Sequence, residues 1–118
     1  HLGVFTYSPE KGTPAFSLQD ALPAAAKEER RAEIMAIQAG LSLARNQGYI
    51  GRRLDVLVEG PDARKPGGWT GRARFQAPEV DGVVRFVLPG SLSEPPSPIV
   101  GVEVTGADAY DLEGRLAV

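Results

Sequence analysis

Apolar and polar residues alternate along the C-terminal part of the chain. Leu54, Val56 and Val58 fall on one side, with Arg53, Asp55 and Glu59 mostly opposed. Trp69, Gly71, Ala73 and Phe75 share a second face, and Val84, Phe86 and Leu88 a third. Val100, Val102 and Val104 follow, then Tyr110, Leu112, Gly114 and Leu116. Successive side chains of a strand point to opposite faces, so this alternation predicts five short, half-buried strands within residues 49–118. A flat sheet this small leaves two open edges, and closure into a barrel removes them. Gly51, Gly71, Gly101 and Gly114 suit bends or bulges at tight barrel corners.

Upstream, the period changes. Ile34, Ile37, Leu41 and Ala44 recur at spacings of three and four, which predicts a helix over residues 23–46. Pro23 suits its first turn. Glu28 and Glu29 near its start and Arg45 near its end agree with the helix dipole. Gly40 inside it costs about 1 kcal/mol relative to alanine. The apolar stripe is expected to pack into a core, and Lys27, Arg30, Arg31 and Glu33 to form a solvated face. Residues 2–7, rich in β-branched and aromatic side chains, predict a strand, and residues 8–14 a loop. A lone strand has no ladder to join, so this piece reads as part of a larger sheet. The expected organisation is a strand and loop over 1–22, a connecting helix over 23–48 and a barrel over 49–118. The fold class is α+β: one long N-terminal helix followed by a small five-stranded antiparallel β-barrel, OB-like.

Composition narrows the function. The 118 residues are 42% hydrophobic, which fits a folded chain. No apolar run approaches the ~20 residues needed to span a bilayer, and no secretory signal opens the chain. Membrane association is therefore not expected, and a cytoplasmic location fits. The chain holds no cysteine, which removes disulfides, thiolate metal sites, iron–sulfur ligation and cysteine nucleophiles. Its one histidine is His1, at the chain end, where a supported catalytic arrangement is not expected. These residues read as a binding module with no catalytic residue, metal or cofactor of its own.

Charge bears on the partner. From Asn46 onward eight basic side chains face ten acidic ones, a difference of −2. Binding to a polyanion depends on neutralising phosphates, so RNA is the less favoured partner unless Arg72, Arg74 and Arg85 cluster on one face. Trp69 or Phe75 would then supply stacking, although both also suit a barrel core. Complementarity favours a basic protein. Ala77-Pro78-Glu79-Val80-Asp81-Gly82 concentrates the question. If extended, it projects Glu79 and Asp81 to the same side as an acidic recognition loop. It also reads as a polar turn between the second and third strands, with Asp81-Gly82 as the turn itself. Residues 61–68 resemble a mobile hairpin more than a phosphate cradle, because no helix follows. Residues 91–98, Ser-Leu-Ser-Glu-Pro-Pro-Ser-Pro, read as a poorly ordered Pro-rich connection.

Several motifs carry a family resemblance across nearly the whole chain. Phe5-Thr6-Tyr7-Ser8-Pro9-Glu10-Lys11-Gly12-Thr13-Pro14-Ala15 resembles the last stretch of the radical S-adenosylmethionine domain of methylthiotransferases. Lys27-Glu28-Glu29-Arg30-Arg31, with Ser42 and Asn46 downstream, resembles their connecting helix. Gly51, Val58-Glu59-Gly60 and Gly71-Arg72 resemble their C-terminal TRAM barrel. Glu10 after Tyr-Ser-Pro, the Ala77 to Gly82 motif and Asp108-Ala109-Tyr110-Asp111-Leu112 resemble the RimO-type branch, which modifies a ribosomal protein. Residues 91–98 depart from that branch, replacing its usual Gly-Asp approach to the fourth strand.

The resemblance implies a parent transferase that attaches a methylthio group to the β-carbon of an aspartate in a small-subunit ribosomal protein. It implies two iron–sulfur clusters and S-adenosylmethionine in that parent, held by cysteines this chain lacks. The implied partners are the basic ribosomal protein and the parent's own upstream catalytic domain. Pro78, Glu79, Asp81 and Arg72 are the candidate protein-binding residues. The alternatives are an RNA-binding module built on Arg72, Arg74 and Arg85, or a structural module docking through Ile34, Ile37 and Leu41.

Overall fold

The computed structural model describes residues 2–20 and 22–117; His1, Ala21 and Val118 lie outside them, and with them the reading of His1. The chain divides into two compact units, His1–Ala39 and Gly40–Val118.

In the first unit, residues 2–7 form no strand. Apolar content makes a strand only when a neighbour completes the ladder of N–H and C=O groups. Side chains tie the segment down instead. The Tyr7 hydroxyl donates to the Ala15 carbonyl at 3.1 Å, beside a 3-10 turn at Pro14–Ser17. Lys27 Nζ donates to the Tyr7 carbonyl at 3.0 Å, pairs with Asp20 and stands 5.5 Å from the Tyr7 ring centroid.

The helix α1 covers Ala24–Gln47, with Pro23 just outside it accepting the N–H groups of Ala26 and Lys27. The expected core stripe is not buried: Ile34, Ile37 and Leu41 are exposed. The buried residues of α1 are Ser42 and Asn46, which share another face, four residues apart. Helical spacing reveals which side chains share a face, and it says nothing of what covers that face.

The second unit is a closed barrel. Its strands are β1 (Arg53–Pro61), β2 (Gly68–Ala73), β3 (Val84–Val87), β4 (Ile99–Ala107) and β5 (Leu112–Leu116). They close in the order β1-β2-β3-β5-β4. Four pairings are antiparallel, and β3 with β5 is parallel. The sheet is therefore mixed, which corrects the all-antiparallel expectation. The reason is parity: a closed ring with an odd number of strands cannot alternate direction throughout.

Val56, Val84, Phe86, Val102, Val104 and Leu112 have almost no exposed surface, and Ala73, Val100 and Leu116 complete the core. Each large apolar side chain buried this way stabilises the fold by about 1.5–3 kcal/mol. Alternation located this core correctly and failed only past strand ends. Phe75 and Tyr110 lie beyond β2 and β5 and are exposed, and Gly51 precedes β1 at φ 87°. Gly114 serves close approach: a Cβ there would lie 2.4 Å from the Glu103 carbonyl oxygen. Residues 91–98 run through bends into β4, and the Pro98 carbonyl accepts the Val58 N–H at 2.8 Å.

Phe86→Ala is expected to lower unfolding free energy by about 3–5 kcal/mol, because the rigid barrel wall cannot collapse onto the void. Urea denaturation of the chain measures it.

Candidate docking surface

The site starts at the turn leading into β5. Asp108 Oδ1 accepts the N–H groups of Tyr110 and Asp111 at 2.8 and 2.7 Å, and the Asp108 N–H donates to the Asp111 carbonyl. Aspartate favours such turns because its short side chain reaches backbone two or three residues on. Ser42 Oγ donates to the Ala109 carbonyl at 2.5 Å, and Asn46 Nδ2 to the Asp108 carbonyl at 3.0 Å. Asp111 Oδ1 accepts the Val83 N–H at 3.0 Å. Gly82 packs against the same turn: a Cβ there would lie 1.8 Å from the Tyr110 carbonyl oxygen.

Residues 77–82 are thus a turn, not an extended segment. The Asp81 N–H donates to the Ala77 carbonyl at 3.1 Å, and Asp81 Oδ2 accepts the Ala77 N–H at 2.7 Å. The two carboxylates therefore differ. Asp81 folds back onto the turn, whereas Glu79 stands exposed at φ 60° between exposed Pro78 and Val80. Gln76 anchors the approach: it is buried, and its Oε1 accepts the Ala73 N–H at 3.0 Å.

The three candidate arginines do not form one free cluster. Arg72, on β2, is engaged by the Glu59 carboxylate of β1. Arg85 lies between Asp62, at 2.7 Å, and Asp111, at 3.5 Å. Arg74 is exposed past the end of β2. Residues 61–68 join β1 to β2 as a hairpin, and Asp62 anchors it. Asp62 is buried, and its Oδ1 also accepts the Arg64 N–H at 2.9 Å. The Arg64 N–H and then the Arg85 guanidinium hold the Asp62 carboxyl below its ordinary value of 3.8, against burial, which raises it.

A different basic surface was missed in the sequence. The Tyr49 and Phe75 rings stack with centroids 4.9 Å apart and 8° between planes. The Arg52 guanidinium stands 5.4 Å from the Tyr49 centroid. Arg53, Arg74 and Asp55 join them around a shallow groove of about 310 Å3. The signal available was Arg52-Arg53 shortly after an aromatic residue at the start of a strand. Among the described residues no group of three or more His, Cys, Asp or Glu could hold a metal, and no helix is long and apolar enough to cross a membrane. With no cysteine in the chain, its residues do not fit an iron–sulfur cluster.

Residues 50–117 match the TRAM domain family. The chain belongs to that family. Across nearly its whole length it also matches RimO-type methylthiotransferases, as its motifs implied. A protein named ribosomal protein uS12 methylthiotransferase RimO from Synechococcus sp. (strain JA-3-3Ab) is 47% identical over 116 residues, 98% of this chain and 24% of that protein. Its namesake from Aquifex aeolicus (strain VF5) is 47% identical over 114 residues, 97% of this chain and 26% of the relative. The one from Anaeromyxobacter sp. (strain K) is 48% identical over 115 residues, 98% and 24% respectively. The chain thus spans about a quarter of the length of these relatives.

Asp62 gives the TRAM barrel a defined acid response. Its carboxyl is depressed in the folded state, so its contribution is full above the ordinary pKa of 3.8 and is lost as pH falls through the lower folded value. Asp62→Asn is expected to lose stability less steeply as pH falls from 3.8 toward that lower folded value, as circular dichroism during acid titration would show.

Proposed function

We propose that this chain is the substrate-docking region of a methylthiotransferase acting on ribosomal protein uS12, and that the 77–82 turn contacts that basic protein. The carrying observation is Glu79. A glutamate in the left-handed region costs roughly 1–2 kcal/mol that a glycine would avoid. The turn accepts this cost at an exposed tip, with Pro78 and Val80 alongside and no burial gained by the carboxylate. Strain held at an exposed, rigidly supported position is a mark of recognition sites. The net negative barrel adds long-range attraction for a basic protein. Catalysis and cofactor binding belong to parts of the parent enzyme outside these residues, and the fragment binds without catalysing.

Glu79→Lys tests this reading cleanly, because Asp81 also holds the turn together. Affinity of the chain for purified uS12, measured by fluorescence anisotropy, is expected to fall about tenfold, roughly 1.4 kcal/mol. Unchanged affinity would falsify the turn's role.

A second reading rests on the stacked groove. Arg52, Arg53 and Arg74 beside Tyr49 and Phe75 combine cations with ring faces, as single-stranded RNA binders do. It replaces Arg72 and Arg85, which already serve carboxylates. If RNA binds here, Arg52→Ala with Arg74→Ala should reduce affinity for a short single-stranded RNA and flatten its salt dependence by about two phosphate contacts. Absence of RNA binding by the unaltered chain at low salt would end this reading.

A further inference from the structure

We infer that the 108–111 turn is a positioning element, with Ser42, Asn46 and Gly82 as positioning residues that set the direction in which Glu79 faces. This deepens the docking reading above and rests on it.

The end of α1 meets the barrel through hydroxyl and amide groups. Burial of apolar surface is non-directional, and a helix seated only that way tolerates small rotations and slides. Hydrogen bonds weaken steeply when misaligned. Ser42 and Asn46 give two of them to adjacent carbonyls, which together define both the rotation and the register of that helical turn. The receiving turn is stiff because Asp108 caps it from within.

Its other side faces the acidic turn at no clearance. Gly82 abuts the Tyr110 carbonyl, and the next residue, Val83, donates to Asp111. The far end of the acidic turn is held by buried Gln76. Glu79 therefore sits on a segment clamped at both ends, and one clamp is continuous with α1. A protein seated on Glu79 is presented at one orientation to that helical turn. Loosening the clamp should cost affinity without removing any group that touches the partner.

The test compares Ser42→Ala, Ser42→Thr and Gly82→Ala with Glu79→Lys in this chain, well below the unfolding temperature. Two readouts are taken: affinity for uS12 and amide hydrogen exchange at residues 77–83. Ser42→Ala and Gly82→Ala are expected to raise exchange there and weaken uS12 binding about fivefold, and Ser42→Thr, which keeps the hydroxyl, should restore most of both. Unchanged exchange at 77–83 in Ser42→Ala overturns the inference, even where Glu79→Lys shows that the turn binds uS12. Faster exchange or lower stability with unaltered affinity, while Glu79→Lys still weakens binding, reduces these residues to a structural role and overturns it too. Faster exchange with affinity unchanged in every variant, Glu79→Lys included, removes the docking reading and leaves the mechanical link standing. Should Gly82→Ala fail to fold, the Ser42 pair decides alone.

Discussion

The Asp108 carboxylate accepts two backbone N–H groups, and the turn it freezes is the point on which the second unit converges. The carbonyls of Asp108 and Ala109 face the end of α1 and take the Asn46 and Ser42 donors. The Tyr110 carbonyl faces Gly82, and the Asp111 carboxylate holds both the Val83 N–H and Arg85. Arg85 in turn reaches Asp62 in the connection between β1 and β2. One four-residue turn thus links the helix, the approach to β3 and the hairpin. Buried polar groups cost free energy unless paired, and here each partner satisfies another element's exposed need.

Closure of the barrel sets where this turn must lie. The core strands bury one face each, and five of them form a ring only with at least one parallel pair, here β3 with β5. A parallel pair cannot be joined by a tight hairpin. The chain therefore leaves β3, travels through 88–98 and β4, and returns as β5 beside β3. The 108–111 turn makes that return. The acidic turn at 77–82 leads into β3, so the parallel pairing brings the two turns side by side.

Charge is sorted by this geometry more than by count. The barrel is net negative, yet its arginines have different fates. Arg72 and Arg85 are neutralised by carboxylates on neighbouring segments, while Arg52 and Arg74 remain around a stacked aromatic pair. Glu79 projects from the acidic turn, and Asp81 is turned back on it. A net charge of −2 thus contains one acidic tip and one basic groove, each with its own chemistry of partner.

The sequence by itself determined the helix near 23–46, the five alternating stretches and nearly every core residue, because period and burial follow from local geometry. It also carried the motifs that match the RimO-type enzymes, and its lack of cysteine leaves no thiolate to ligate an iron–sulfur cluster. Tertiary structure decided the rest. It left residues 2–7 without a ladder, exposed Ile34, Ile37 and Leu41, and turned Ser42 and Asn46 inward instead. It paired Arg72 and Arg85 with carboxylates thirteen and twenty-three residues away. It also stacked Tyr49 on Phe75 and folded Asp81 away from Glu79. These outcomes share one physical cause. Periodicity records which side chains point the same way along one element, whereas exposure and pairing depend on which distant segment arrives opposite them.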